Sequence, residues 1–101
     1  FVALSRPTMG MEDEFNAWYD GRHVPDVIAI PGIFGAERFR LSLPFLDPEG
    51  LGERYLALYD VDCDDLGDLA ARVAADARSG RTVMSAAIDM KSLIAFFLEP
   101  V

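Results

Sequence analysis

Two segments of this chain are apolar on both faces of a strand, and they constrain its fold more than any other feature. In residues 55–61, aromatic and small apolar side chains alternate with Leu56 and Leu58. Residues 93–98 carry no polar side chain at all. Because a strand points successive side chains to opposite faces, both segments need cover on both sides. The chain therefore has to build a sheet whose two faces are each shielded from water.

The rest of the chain supplies two more strands and two helices. Acidic residues that suit a helix start precede each helix, at residues 12–14 and 62–65. Pro25 limits the first helix, so we expect His23 near its end or in a kink, with a further helical turn at residues 24–30. The apolar stripe of the second helix covers residues 66–77, before the Ser-Gly at 79–80. We predict strands over residues 1–5, 33–43, 55–61 and 92–98, a hairpin loop over 44–53, and either a short helix or an irregular loop over 82–89.

This order is β-α-β-β-α-β, and it contains no repeat or linker. Short, right-handed connections favour one antiparallel sheet with both helices packed on one face, which is the ferredoxin-like α+β architecture. With 101 residues, we expect residues 1–101 to form a single domain.

The charge balance bears on the partners. The 17 acidic and 9 basic residues give a net charge of −8, which disfavours nucleic acid and anionic membrane surfaces. The apolar runs are too short to span a bilayer. No basic segment followed by an apolar stretch opens the chain, so we expect no secretory signal, and Phe1 at the start suggests further residues before it. The single cysteine, Cys63, fits a cytoplasmic protein.

The sheet predicts self-association. Helices cover only one of its faces, and the last strand of a ferredoxin-like sheet lies at an edge, where an apolar strand pairs with other chains. We therefore expect a homodimer with sheet against sheet. The alternative is that the hairpin loop, or residues before Phe1, cover the second face.

The first helix holds the chemically distinctive residues. Tyr19 and His23 are four residues apart, as are Trp18 and Arg22, so they surround one patch at the helix end. Such a face suits a small pocket between helix and sheet, and His23 is the only histidine, suited to acid–base work near neutral pH. The alternative is structural: a histidine that caps the helix, a core aromatic stripe, and an Arg22–Asp26 surface pair.

The motifs around this helix resemble the dimeric α+β barrel superfamily, especially its EthD-like members. Residues 14–25 read Glu-Phe-Asn-Ala-Trp-Tyr-Asp-Gly-Arg-His-Val-Pro, residues 30–33 Ile-Pro-Gly-Ile and residues 36–39 Ala-Glu-Arg-Phe. The likeness follows the whole chain in order, but its specific motif lies within residues 14–39. It implies a ferredoxin-like subunit, a dimer whose sheets form a barrel, and a small-molecule cavity between helix one and the sheet.

The resemblance also implies a range of activities. Related proteins include lactone isomerases, polyketide cyclases, cofactor-free monooxygenases, haem enzymes and accessory proteins of catabolic pathways. The histidine of the family's first helix falls on His23. A haem role is disfavoured, because no histidine follows His23. A cyclase role is also disfavoured, because polyketide cyclases of this fold often use more than one histidine. We expect neither a cofactor nor a metal.

The favoured hypothesis is a cofactor-independent isomerase, lyase or monooxygenase that acts on a mostly apolar cyclic small molecule. His23 would move a proton, and Tyr19 or Tyr59 would hydrogen-bond a substrate oxygen. Arg38 or Arg22 would bind a carboxylate or stabilise an enolate, since a guanidinium suits planar anions.

Trp18 and Phe39 would pack on the substrate ring. Adjacent strand residues face opposite ways, so Arg38 and Phe39 cannot both line the cavity. The second hypothesis is a non-catalytic ligand-binding or accessory homodimer, and the third is a structural module without any cavity.

Overall fold

The computed structural model describes residues 1–101 and shows four strands and their helical connections in one α+β arrangement. The elements are β1 (Val2–Pro7), α1 (Glu12–Trp18), a π-helical segment (Tyr19–His23), α2 (Val24–Ile28), β2 (Ile33–Arg40), β3 (Tyr55–Val61), α3 (Leu66–Ser79) and β4 (Ile88–Phe96). The first three helical segments connect β1 to β2, and α3 connects β3 to β4. The predicted β-α-β-β-α-β order is confirmed.

The strands form one antiparallel sheet in the order β2-β3-β1-β4. The first and third strands lie in the centre, and the second and fourth lie at the edges. This is the ferredoxin-like order, and β4 is an edge strand as predicted.

One face of the sheet is covered by the helices. Ala57 of β3 pairs with Ala3 of β1 and with Arg38 of β2, its neighbouring strands, so all three side chains point to this face. Strand alternation puts Ser5 and Tyr59 on this same face, where both are almost completely buried. The predicted site residues Arg38 and Tyr59 therefore lie on the face of the sheet that the helices cover.

The core between helices and sheet is anchored by two side chains with no exposed surface, Phe15 of α1 and Leu69 of α3. Phe15 and Leu69 belong to one cluster with Tyr19, Val27 and Tyr59. Burying a large apolar side chain contributes roughly 2–3 kcal/mol, so these two residues hold one helix each against the sheet.

The ends of α3 follow the predicted signals. The Asp65 carboxylate accepts a hydrogen bond from the Asp68 N–H at the start of the helix. Gly80 ends the helix in the left-handed conformation, at φ +79°.

Strand β4 begins four residues before the predicted start at residue 92. The pairing of β1 with β4 shifts between Leu4 and Arg6, so that extra residues of β4 bulge outward. The Ser92 hydroxyl stabilises this bulge, because it accepts from the Arg6 N–H at 2.8 Å and donates to the Asp89 carbonyl at 2.6 Å. The ambiguous segment at residues 82–87 is an irregular loop that leads into the strand. Strand β2 ends at Arg40 instead of residue 43.

The second face of the sheet carries two cross-strand rows of mostly apolar side chains. They are Phe39–Leu56–Leu4–Ile94 and Glu37–Leu58–Val2–Phe96. No helix covers this face, and Phe39 and Phe96 are about half exposed. No helix of the chain has the length and apolar character to cross a membrane.

Gly32, which precedes β2, provides a stability test. Its φ is +102°, and a Cβ there would lie 3.1 Å from Arg72 Nη1 and 3.2 Å from Leu69 Cδ1. We predict that Gly32→Ala lowers the free energy of unfolding by about 2 kcal/mol or more, because backbone strain and crowding of a buried leucine add together. Urea denaturation measures this loss.

Gly50→Ala is the matched control. Gly50 has φ +68° with no atom within 4 Å of the added Cβ, so only the backbone cost of about 1 kcal/mol applies. Equal losses in the two variants would contradict the crowding argument.

Candidate functional site

The helical segment that carries the candidate site widens at its centre. Residues Tyr19–His23 are π-helical, and the Val24 N–H donates to the Tyr19 carbonyl five residues earlier. Pro25 explains this geometry, because proline has no N–H to donate and its ring would collide with the carbonyl of Gly21 in a regular α-helix. Such π-helical turns occur frequently at functional sites.

The wide turn brings His23 against two aromatic rings. The imidazole stacks on Trp18, with ring centroids 4.5 Å apart, and meets the edge of Tyr19 at 4.9 Å. Trp18 and His23 are five residues apart, which a π-helical turn aligns and an α-helical turn does not. His23 thus lies in a half-buried aromatic slot.

This slot keeps His23 neutral. Burial lowers the pKa of His23 from 6.5 to about 4, with a smaller lowering from the Arg38 charge, while the Asp26 carboxylate acts in the opposite direction. The buried Nδ1 atom has no hydrogen-bond partner in the chain. At neutral pH the ring is therefore uncharged, and its buried Nδ1 atom is without a hydrogen bond.

Arg38 places a cation over the centre of the site. Its guanidinium carbon lies 4.4 Å from the Tyr19 ring centroid. It donates from Nη1 to Asp20 and from Nη2 to Asn16, each at 2.8 Å, but its buried Nε atom has no partner. The fork of the guanidinium is thus fixed by Asp20 and Asn16, while the buried Nε–H remains without an acceptor.

Two more tethers fix this arrangement. The Asn16 amide donates to the Tyr55 hydroxyl at 3.3 Å, and that hydroxyl donates to the Glu12 carboxylate. The chain of contacts from Glu12 to Arg38 joins the first turn of α1 to strands β2 and β3. The position of the guanidinium is therefore set by both the helix and the sheet.

Tyr59 and Ser5 bring hydroxyl groups from the sheet toward Tyr19. Burial raises the pKa of Tyr19, and burial together with the neighbouring Tyr19 raises the pKa of Tyr59 strongly. The Tyr59 and Ser5 hydroxyls lie close enough to the Tyr19 hydroxyl to lower its pKa, against the effect of burial. Neither the Tyr59 nor the Ser5 oxygen, however, makes a hydrogen bond of ordinary geometry. Both tyrosines remain protonated, so they serve as hydrogen-bond donors.

Four buried polar groups without a partner therefore gather around the Tyr19 ring. They are the Ser5 Oγ, His23 Nδ1, Arg38 Nε and Tyr59 hydroxyl atoms, and they are all such side-chain atoms in the chain. A buried polar group without a hydrogen bond costs about 1–3 kcal/mol, so such groups are few in folded proteins and often mark functional sites. This cluster is the candidate site.

The structure thus brings together five of the seven predicted site residues and separates two. Trp18, Tyr19, His23, Arg38 and Tyr59 meet at the cluster. Arg22 is exposed and pairs with Asp26 at 3.1 Å. Phe39 lies on the second face of the sheet, as expected once Arg38 points inward.

Sequence reasoning missed Ser5 and Asn16. The signal for Ser5 was strand alternation, because a polar residue two positions after Ala3 must share its buried face. Asn16 gave no such signal, since its contact with Arg38 depends on how the helix packs on the sheet.

Two surface cavities are lined by none of the cluster residues. A groove of about 750 Å³ runs along one end of the sheet and includes Glu12, Arg40 and Tyr55. A second pocket of about 350 Å³ lies in the β2–β3 loop. The chain holds no group of three His, Cys, Asp or Glu side chains suited to a metal ion.

Comparisons with known proteins agree with this architecture. No protein-family model matches the chain, and no curated protein matches it. The chain is similar to the crystal structure of an EthD-family protein from Bacillus halodurans, with a TM-score of 0.52 and 16% sequence identity. The similarity covers 92% of this chain and 91% of that chain. The predicted likeness to EthD-family proteins is therefore confirmed for the fold alone.

Proposed function

We propose that this protein is a cofactor-independent enzyme of small-molecule metabolism that uses His23 to move a proton. The observation that carries the proposal is the cluster of four buried polar groups without partners around Tyr19. One of them, the neutral His23 ring, accepts a proton. The others donate hydrogen bonds to an oxygen atom.

This combination suits proton removal from a carbon atom next to a carbonyl group. His23 takes the proton, and the C–H electron pair forms the carbon–carbon double bond of an enolate. The carbonyl oxygen gains the negative charge, and the Arg38 guanidinium and the protonated Tyr59 stabilise it. Return of the proton from His23 to another carbon completes an isomerisation and restores the neutral ring.

The low pKa of His23 makes it a weak base before the reaction begins. An enolate that forms beside Arg38 offsets the guanidinium charge, which is one of the two causes of the lowered pKa. The basicity of His23 therefore rises as the negative charge develops. Aromatic rings on both sides of the slot suit a flat, mostly apolar substrate.

A second candidate is a non-catalytic ligand-binding or accessory protein. The observation that favours it is that two surface cavities are lined by none of the cluster residues, while the His23 ring is packed between Trp18 and Tyr19. In that case the groove at Tyr55 would hold the ligand, and His23 would be a core residue.

We also propose that the protein acts as a homodimer. The supporting observation is the second face of the sheet, where no helix covers the two cross-strand rows that contain Leu56 and Leu58. A second copy of the chain, placed sheet against sheet, would bury both rows.

The enzymatic proposal is tested by deuterium exchange. We predict that the protein accelerates the exchange of α-hydrogens in D₂O for at least one member of a panel of bicyclic aromatic ketones and unsaturated lactones, measured by NMR. His23→Gln should lower the rate at least about 100-fold, because removal of a general base costs 10²–10⁴ in rate.

Lys91→Gln is the control, because Lys91 is exposed and its side chain makes no hydrogen bond or ion pair within the chain. Full exchange activity in His23→Gln would exclude His23 as the base. A wild-type protein without activity on the panel that still binds its members would favour the second candidate.

The pH dependence of His23 gives a further prediction. The single histidine should titrate by NMR near pH 4 in the folded protein, so the acid limb of activity should also lie near pH 4. An unfolded chain takes up this proton near pH 6.5 and therefore binds more protons than the folded chain between pH 6.5 and 4. The His23 contribution to stability is complete above pH 6.5 and is lost as the pH falls through 4.

The free energy of unfolding of His23→Gln should lack this component. Between pH 7 and pH 4.5, wild type should lose about 2 kcal/mol more than the variant, since the carboxylates act equally in both proteins. A titration midpoint near 6.5 would show that burial in the slot does not disfavour the protonated, charged imidazole.

The dimer is tested by sedimentation. Phe96→Lys puts a charge on the second face and should convert the dimer to monomer at micromolar concentration, because a buried unpaired charge is costly. Met84→Lys changes a similarly exposed side chain in the loop before β4 and should remain a dimer. A monomeric wild type would contradict the proposal.

A further inference from the structure

Residues 81–84, which we call the strap, connect α3 toward β4 and are tied to the helical segments that carry His23. The Trp18 indole N–H donates to the Val83 carbonyl at 2.9 Å. The Val83 N–H donates to the Asp26 carboxylate at 3.1 Å, and the Arg81 side chain donates to the Asp26 carbonyl at 2.8 Å. Every one of these bonds to the helical segments is made by Trp18 or Asp26.

The same two residues border His23. Trp18 stacks on the imidazole, so its ring face contacts His23 while its N–H binds the strap. Asp26 lies one turn beyond His23, where its charge acts on the imidazole, and its carboxylate also accepts from Arg22. The strap is therefore tied to both residues that border His23.

We propose that Trp18 and Asp26 are positioning residues that hold the strap over His23, and that release of the strap gives small molecules access to the imidazole. This inference rests on the proposed function, because it concerns how a substrate reaches the same residue. It assigns Trp18 a task other than packing on the substrate.

The strap is suited to open without the rest of the fold. At one end the buried Thr82 binds the Asp76 carboxylate, and at the other Thr8 binds the backbone of residues 86 and 87. Between these anchors, Val83 and Met84 are 40% and 49% exposed and take part in no sheet ladder. Loss of the few hydrogen bonds to Trp18 and Asp26 costs far less than global unfolding.

The test measures access to His23 by covalent labelling. Diethyl pyrocarbonate modifies neutral imidazole, and the chain contains a single histidine, so peptide mass spectrometry follows one site at pH 7. We expect slow labelling of wild type. Trp18→Phe, which keeps a ring on His23 but lacks the N–H, and Asp26→Ala, which lacks the acceptor for the Val83 N–H, should each increase the labelling rate about fivefold or more, as loss of about 1 kcal/mol predicts.

Gly32→Ala is the control for global unfolding, since it weakens the fold at α3 and leaves the strap contacts intact. Its labelling rate should stay near that of wild type. The proposal is overturned if the two strap variants are labelled at the wild-type rate, or if Gly32→Ala accelerates labelling as much as they do.

Hydrogen exchange in wild type provides a measurement that needs no variant. The Val83 amide should exchange with a free energy of opening well below that of the amides in β3. Exchange of Val83 only through global unfolding would also overturn the proposal. Neither readout requires turnover, so a protein with a movable strap and no ketone exchange would refute the proposed reaction and leave the strap assignment in place.

Discussion

The contact between the Arg38 guanidinium and the Tyr19 ring is the interaction on which the site depends. It places a cation at the interface between helix and sheet, 4.4 Å from the ring centroid, where the charge is held by Asp20 and Asn16. A cation–π contact gains strength when water is excluded, so the same packing that buries Tyr19 favours the pair. The charge also helps to keep His23 neutral, which couples the architecture of the sheet to the chemistry of the helix.

The proposed reaction and the strap are two uses of one packing arrangement. Trp18 and Tyr19 exclude water from the imidazole, which lowers its pKa and leaves Nδ1 without a partner. Because the Nδ1 atom is buried, a small molecule can reach it only if some part of the surrounding wall moves. The strap is the part of the wall that is held by side-chain hydrogen bonds and not by core packing or a strand ladder.

The sequence was sufficient to predict the order of the elements and five of the residues that meet at the candidate site. The apolar strand at residues 55–61 and the Pro-Gly turn before β2 are local signals, and they predicted the sheet correctly. The pairing of Tyr19 with His23 followed from helical spacing. The stack of Trp18 on His23 did not, because it requires a turn wider than an α-helix, and the bulge of β4 depends on its pairing with β1.

The π-helical turn has a consequence for the comparison of related chains. A turn of this kind is equivalent to an α-helix that has gained one residue. The wider turn absorbs that residue, so the segments before Tyr19 and after His23 keep the faces that one continuous α-helix would give them, and only the residues within the turn are displaced. A relative without the extra residue would therefore align with a one-residue gap, and its histidine would stand four residues, not five, from the residue at the position of Trp18.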